Sequence, residues 1–214
     1  MIKAIIWDFG GVLTSSPFEA FNRYEAANSI PLDFIRGVNA INPDSNAWAQ
    51  FERSEVTLDQ FDVLFAEESA ARGRRIAGRD VIALLGGVVR PEMVAALRHC
   101  AARYKVGCIT NNVPAGKGSG MALDSAHAQQ IRDVMAIFHH IVESKKAGMR
   151  KPDPRIYQLS CEALGVLPTQ AIYLDDLGVN LKPAREMGMR TIKVGEPEKA
   201  LAELEALLGH SVRD

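Results

Sequence analysis

Carboxylates stand directly after two runs of apolar residues, where they could take part in chemistry. Asp8 follows the run Lys3–Trp7, and Asp175 and Asp176 follow a run that ends at Leu174. Carboxylates that face one another without a cation repel, whereas a hard cation such as Mg²⁺ takes oxygen ligands and keeps them ionised. If folding brings these residues together, they predict a divalent-cation site.

Other polar groups accompany the carboxylates. Thr110, Asn111 and Asn112 follow a second apolar run, and Lys151 lies in the segment GMRKPDP, after a third. The set therefore combines carboxylates with a hydroxyl, amides and one ammonium group. An ammonium group adds positive charge for a phosphate that is bridged to a metal. This combination favours chemistry on a phosphate group.

An alternation of strands and helices is predicted to position these residues. The apolar runs are typical of buried parallel strands, and segments with helical spacing separate them. This order predicts a doubly wound α/β sheet, in which ligands bind at the carboxyl ends of the strands. The predicted strands are Lys3–Trp7, Tyr104–Thr110, His139–Val142, Ala171–Leu174 and Thr191–Val194, and the predicted helices among them are Pro91–Arg103, Pro154–Leu164 and Leu181–Met187.

The alternation pauses directly after the first strand. Between residues 15 and 87 no convincing buried strand is found, but helical patterns recur. We therefore predict a core domain of residues 1–14 and 88–214, with a helical cap domain of residues 15–87 packed over the sheet edge as a lid. The helical patterns of the insertion are Phe18–Asn28, Leu32–Asn39, Ala47–Arg53 and Leu58–Arg72.

Composition limits the partners and the compartment. The chain has 214 residues, a formal net charge of -1 and interspersed charges, which gives no electrostatic case for binding nucleic acid or an anionic membrane. No apolar run approaches the length of a spanning helix. Cys100, Cys108 and Cys161 lack metal-site or redox spacing, which favours reduced thiols in the core. We expect a cytoplasmic protein.

Four segments of the sequence resemble the signatures of the haloacid dehalogenase superfamily. They are WDFGGVLT, ITNN, RKPDPRIYQL and IYLDDLGVNLKPAREMGM, in the order and spacing of that family. The predicted helical insertion after the first segment is similar to the family's cap. The resemblance extends over essentially the whole chain and is strongest to the branch that holds the phosphatase domain of soluble epoxide hydrolases and bacterial sugar-phosphate phosphatases. It implies a Rossmann-like core.

The resemblance implies a role for each polar residue. Asp8 matches the nucleophile, which attacks phosphorus and forms an aspartyl-phosphate, so that one displacement becomes two steps. Thr110 and Asn111 match the phosphate-binding motif. Lys151 matches the lysine that neutralises the nucleophile and the transferring group. The implied activity is a Mg²⁺-dependent phosphatase acting on a small phosphorylated metabolite.

The same resemblance implies the metal ligands. Asp8 and Asp176 match the two carboxylate ligands, and the backbone carbonyl of Gly10 matches the third protein ligand. Asp175 is then a secondary ligand or a hydrogen-bond partner. Substrate choice is implied to rest on the cap and on the loop near residues 116–120.

Gly10 departs from the commonest family pattern, which has an aspartate as general acid and base at this position. Glycine keeps the carbonyl ligand but loses a group that typically contributes about 10²- to 10⁴-fold to the rate. Some sugar-phosphate phosphatases of this branch also resemble this chain in having glycine there. Glu19 or Glu52 of the cap, a metal-bound water or the substrate could take over the proton transfer.

Other interpretations stay open at this point. Taken alone, Asp8 could cap a turn, Thr110 and Asn111 could end a strand through hydrogen bonds to the backbone, and Lys151 could be solvated. Two functions compete with a phosphatase: a 2-haloacid dehalogenase, and a catalytically impaired binding protein of the same family. The LDD segment argues against the dehalogenase, and the retention of nucleophile, lysine and metal acid argues against the binding protein.

Overall fold

A central parallel sheet organises the protein. A computed structural model describes residues 1–111 and 125–213. Within those ranges five parallel strands form one sheet in the order β3-β2-β1-β4-β5. The predicted α/β class is therefore confirmed. The strands are β1 (Ala4–Trp7), β2 (Lys105–Thr110), β3 (His140–Glu143), β4 (Ala171–Asp175) and β5 (Arg190–Lys193).

Helices cover both faces of the sheet. Alternate residues of β1 point to opposite faces, so that Ile5 and Trp7 belong to one apolar cluster and Ala4 and Ile6 to another. The first cluster takes its helical residues from α6 (Pro91–Ala101), α7 (Ser125–Met135) and α11 (Pro197–Leu208), and the second from α9 (Pro154–Leu164) and α10 (Gly178–Glu186). A short α8 (Ser144–Ala147) follows β3, and a 3₁₀ turn (Pro168–Gln170) precedes β4.

Between β1 and α6 the chain forms a helical insertion with its own apolar cluster, which includes Phe21, Ile35, Phe51, Phe61 and Phe65. Its helices are α1 (Pro17–Ala27), α2 (Phe34–Asn39), α3 (Ala47–Glu52), α4 (Leu58–Ala70) and α5 (Gly78–Ala83). The stacked rings of Phe51 and Phe61, with centroids 4.5 Å apart, lie at its centre.

The two ends of the insertion are paired with each other. Thr14 and Val89 form an isolated antiparallel bridge. The Ser15 N–H donates to the Val88 carbonyl at 2.8 Å, and the Arg90 N–H donates to the Leu13 carbonyl at 2.9 Å. This pairing holds entry and exit of the insertion side by side. The division into core and cap domains at these residues stays a prediction.

Some elements differ from the sequence prediction. The strand boundaries shift by a residue or so, but α5, α7, α8 and α11 were not predicted at all. The helix predicted over Leu181–Met187 begins earlier, at Gly178. The apolar pattern missed this first turn because its buried residue is the polar Asn180, which donates a hydrogen bond to Asp175 at the end of β4. All three cysteines are buried and unpaired, as expected. Among the described helices, none combines the length and apolar character needed to cross a membrane.

Candidate active site

The strand ends bring Asp8 and Asp175 to the same level of the sheet. Trp7 of β1 is in register with Leu174 of β4, so the residues that follow them, Asp8 and Asp175, are neighbours. The Asp8 N–H continues the ladder by donating to the Leu174 carbonyl at 2.8 Å. The predicted convergence of these carboxylates is therefore observed, and it follows directly from the parallel register.

Lys151 connects these two carboxylates. Its Nζ lies 2.7 Å from Asp8 Oδ1 and 2.9 Å from Asp175 Oδ2. The lysine is 1% exposed, and Asp175 is completely buried. Burial acts to lower the pKa of the Lys151 ammonium group, but the two carboxylates outweigh burial and the pKa is raised. Lys151 therefore stays charged, and it compensates a pair of acids that could not be buried together alone.

The cluster has the composition of a site for a hard cation. Carboxylate oxygens of Asp8, Asp175 and Asp176 all lie within 4.8 Å of one another. Burial raises the pKa of Asp8 to about 8, against the effect of Lys151, and raises the pKa of Asp176 to about 6, with Asp175 adding to the shift. A divalent cation would reverse these shifts, because it favours the ionised carboxylates. The residues thus fit Mg²⁺ by the number and type of their oxygens.

Asp175 is saturated with hydrogen bonds. Its Oδ1 accepts from the Leu177 N–H at 2.8 Å and from Asn180 Nδ2 at 3.0 Å, and its Oδ2 accepts from Lys151 and from the Tyr173 hydroxyl. These bonds are compatible with the role of hydrogen-bond partner, and direct binding of the metal by Asp175 stays a prediction. Asn180 and Tyr173 were missed in the sequence. Their signal was their position: Tyr173 lies two residues before Asp175 on the same strand, and Asn180 lies five residues after it, in the first turn of α10.

Two adjacent glycines follow Asp8 and differ in what they permit. Gly11 has a φ of +76°, and a Cβ there would overlap the Asp176 carboxylate. A side chain at residue 11 would therefore displace a predicted metal ligand. Gly10 has no such constraint: a Cβ there would meet nothing within 4 Å, and its φ is not in the left-handed region. Neither local space nor backbone conformation requires the glycine at position 10.

Asn111 holds the backbone of Lys151. The Lys151 N–H donates to Asn111 Oδ1 at 2.8 Å, and Asn111 Nδ2 donates to the Lys151 carbonyl at 3.1 Å. Both functional groups of this amide are therefore used within the protein. Thr110 ends β2, half-buried, and its hydroxyl makes no hydrogen bond within the described residues. Phosphate binding by either side chain stays a prediction. Asn112 and the loop near residues 116–120 lie outside the described ranges.

An open cleft adjoins the carboxylate cluster, and we call it the side cleft. It has a volume of about 370 Å³ and lies between the insertion and the ends of β4 and β5. Asp176 and Gly11 border it, and Glu19, one of the two carboxylates predicted to replace the missing acid, lies in its wall. Three cations also line it: Arg36 of the insertion, Arg90 and Lys193.

Glu52, the other predicted acid, is an internal residue. It is 5% exposed, and its Oε2 lies 2.6 Å from Arg150 Nε. Burial raises the pKa of the Glu52 carboxyl to about 7, although Arg150 opposes the shift. Arg150 also donates to the Pro43 carbonyl at 2.9 Å. This arginine precedes Lys151 in the chain, so the pair ties the insertion to the segment that carries the lysine.

Comparison with known proteins identifies the relatives of the chain. A family model described as haloacid dehalogenase-like hydrolase matches residues 2–188. The chain is 36% identical over 97% of its length to acyl-CoA dehydrogenase family member 10 of Mus musculus, and 31% identical over 97% to bifunctional epoxide hydrolase 2 of the same organism. It spans only 19% and 39% of those two proteins.

Other matches have about the size of this chain. Phosphatase MT3486 of Mycobacterium tuberculosis is 30% identical over 90% of this chain and 87% of its own length. A family enzyme of Bacteroides thetaiotaomicron, solved with magnesium and inorganic phosphate, shares the fold with a TM-score of 0.60 at 21% identity, covering 92% of this chain and 96% of its own. The L-2-haloacid dehalogenase of Xanthobacter autotrophicus also shares the fold, with a TM-score of 0.61 at 17% identity. The match covers all of this chain and 85% of the dehalogenase chain. The chain belongs to the haloacid dehalogenase-like hydrolases.

Proposed function

We propose that the protein is a Mg²⁺-dependent phosphatase that hydrolyses a small phosphorylated metabolite through an aspartyl-phosphate on Asp8. The observation that carries the proposal is the position of Lys151 Nζ, 2.7 Å from Asp8 Oδ1, beside the Asp175 and Asp176 carboxylates. A buried lysine here supplies a fixed positive charge for an anionic group that approaches Asp8.

In this proposal the metal is held by the strand-end groups. Asp8 and Asp176 contribute carboxylate oxygens and Gly10 contributes its backbone carbonyl. Asp175 keeps Lys151 and Asn180 in place rather than binding the metal directly. When bound, Mg²⁺ would act as a Lewis acid toward the phosphoryl oxygens. The magnesium and phosphate in the Bacteroides thetaiotaomicron enzyme support this choice of ion.

The chain's own groups carry the two chemical steps. An Asp8 carboxylate oxygen attacks phosphorus, the new O–P bond forms, and the ester O–P bond breaks to release the alcohol oxygen. A water oxygen then attacks the same phosphorus, the bond to Asp8 breaks, and the carboxylate is regenerated with inorganic phosphate as product. Lys151 stays positively charged throughout and offsets the negative charge of the transferring group.

The proton for the leaving alcohol needs a source other than residue 10. Glu19 lies in the wall of the side cleft, which Asp176 and Gly11 also border. Glu52 is paired with Arg150 and buried. We therefore favour Glu19 or solvent water over Glu52 as the donor. In the same proposal residues 15–87 act as the cap that covers the site.

Relatives support phosphoester hydrolysis over dehalogenation. A relative named as a phosphatase matches most of this chain at 30% identity, whereas the dehalogenase match, at 17% identity, shows the fold alone. The chain spans a minor part of each of the two longer relatives, so the activities of those whole proteins do not bear on its function.

A metabolite screen tests the proposal. We expect purified protein to release inorganic phosphate from some members of a panel of phosphate monoesters with Mg²⁺ present, and not after chelation. Asp8→Asn should abolish the release. Metal-independent turnover, or chloride release from a 2-haloacid without phosphate release, would overturn it. Mg²⁺-dependent beryllofluoride binding that Asp8→Ala abolishes separates a live site from an impaired one.

A further inference from the structure

The side cleft carries more positive charge than the phosphoryl site requires. Arg36, Arg90 and Lys193 line it together with only two carboxylates, Glu19 and Asp176. The proposed metal would balance Asp176. The cleft is not lined by Asp8, Thr110 or Lys151, so its cations are additional to the groups that would hold the transferring phosphoryl group.

The cations come from two sides and are held in different ways. Arg36, on the insertion, stacks over the Phe18 ring at 4.4 Å and pairs with Asp33 at 2.9 Å, which fixes the direction of its guanidinium group. Arg90 donates through Nη1 to the Gly11 carbonyl at 2.9 Å. Within residues 1–111 and 125–213, neither Arg90 nor Lys193 has a carboxylate partner. An anion entering the cleft would therefore meet two cations without a carboxylate partner, Arg90 and Lys193, and a third, Arg36, that it would share with Asp33.

The sheet register gives the distance from the reacting carboxylate. Asp175 is in register with Lys193 of β5, and Asp8 is level with Asp175. Neighbouring strands lie about 4.8 Å apart, so the backbone of Lys193 is about 10 Å from that of Asp8 across two strands. A lysine side chain reaches over part of this distance. A small molecule could therefore contact Asp8 and Lys193 at once.

We infer that the substrate is a phosphate monoester with a second anionic group, a carboxylate or another phosphate, which binds to Arg36, Arg90 and Lys193 in the side cleft. This inference rests on the proposed phosphatase function and specifies its substrate class. An anion held between Arg36 and the two core cations would also bridge the insertion and the sheet. Guanidinium and ammonium groups bind carboxylate and phosphate with charge-assisted hydrogen bonds.

Matched pairs of esters test the inference. One pair is 3-phosphoglycerate and glycerol 3-phosphate, which differ only by a carboxylate in place of a hydroxymethyl group. The other is fructose 1,6-bisphosphate and fructose 6-phosphate. In at least one pair we expect kcat/KM to be at least about tenfold higher for the member with the second anionic group. Lys193→Gln and Arg36→Gln should each lower this within-pair ratio of kcat/KM by about tenfold. Lys105→Gln is the matched control, because Lys105 is exposed at the start of β2, at the opposite end of the strands.

Binding to Asp8→Asn, measured by calorimetry with Mg²⁺, separates this inference from the proposed function. If wild type hydrolyses neither pair, the inference is still supported when Asp8→Asn binds the ester with the additional anionic group more tightly than its partner. The added substitution Lys193→Gln should abolish this difference in affinity. Equal kcat/KM and equal binding within both pairs, or a preference that Lys193→Gln and Arg36→Gln leave intact, would overturn it while leaving phosphatase activity unaffected.

Discussion

Lys151 Nζ lies 2.7 Å from Asp8 Oδ1 and, on its other side, 2.9 Å from Asp175 Oδ2. One buried cation thus compensates two buried acids, one of which we propose as the nucleophile. The arrangement makes stability and chemistry depend on the same side chain. Removal of the cation leaves two uncompensated carboxylates, and such removal is far more costly than the loss of an exposed ion pair.

Lys151→Met should therefore lower the free energy of unfolding by about 3 to 5 kcal/mol. It should also lower kcat by about 10²- to 10³-fold. Asp175→Asn removes one of the two acids. The double variant, Lys151→Met with Asp175→Asn, should therefore lose less stability than the sum of the two single losses. Urea denaturation of the four chains in the cycle measures this coupling. Additive losses would show that Lys151 and Asp175 are energetically independent.

The Asn111 amide makes a separate prediction possible. If it positions Lys151 through the two backbone hydrogen bonds, Asn111→Ala should lower kcat by about tenfold and change KM by less than about twofold. Asn111→Asp is the matched variant, because it keeps the acceptor for the Lys151 N–H and loses the donor. Its kcat should lie between those of Asn111→Ala and wild type. A raised KM with unchanged kcat would instead assign the side chain to phosphate binding.

Gly10→Asp should restore a general acid and base. The position has room for a Cβ and no backbone conformation that excludes one. Wild type should process esters of low-pKa leaving groups best. Gly10→Asp should raise turnover of poor leaving groups, by up to about 10²- to 10⁴-fold, and flatten the dependence of rate on leaving-group pKa.

Gly10→Asn controls for size without supplying a proton. Rates across a series of aryl and alkyl phosphates give the slope of rate against leaving-group pKa for wild type, Gly10→Asp and Gly10→Asn. An unchanged slope in Gly10→Asp would show that another acid is already in place, and Glu19→Gln would then be expected to steepen the slope of wild type.

Glu52 should make stability depend on pH. Burial raises the pKa of its carboxyl from 4.5 to about 7 in the folded chain. Between these values the folded state binds a proton that the unfolded state has lost, so the stability that protonation provides is present below about pH 4.5 and is lost as pH rises through about 7. The stability of wild type relative to Glu52→Gln should therefore fall between about pH 5 and about pH 8, by at most about 3 kcal/mol.

Urea denaturation of both chains at the two pH values measures the difference. Glu67→Gln, on the exposed side of α4, controls for the loss of one carboxylate. A relative stability of Glu52→Gln that is constant or that moves in the opposite direction would mean that Arg150 keeps Glu52 ionised across this range.

Much of the sheet edge was predictable from the sequence. Apolar runs that end in Asp8, Thr110 and Asp175 predict parallel strands, and parallel strands bring their carboxyl ends to one edge. Local patterns do not encode contacts between distant segments, however. The bonds from Asn111 to the Lys151 backbone, and the close approach of Asp176 to Gly11, depend on tertiary packing. The side cleft likewise joins Arg36 to Lys193 only in the folded chain.

Direct detection of the covalent intermediate tests the central claim. Gly10 supplies no base for the attacking water, so breakdown of the aspartyl-phosphate should be slow; with an ester whose leaving group has a low pKa and needs no acid, formation should be faster than breakdown and the intermediate should accumulate. We expect acid quenching after turnover of a ³²P-labelled ester with Mg²⁺ to leave label on the peptide that contains Asp8, and neither Asp8→Asn nor chelated wild type to be labelled. Label on another residue, or phosphate release that persists in Asp8→Asn, would contradict the account.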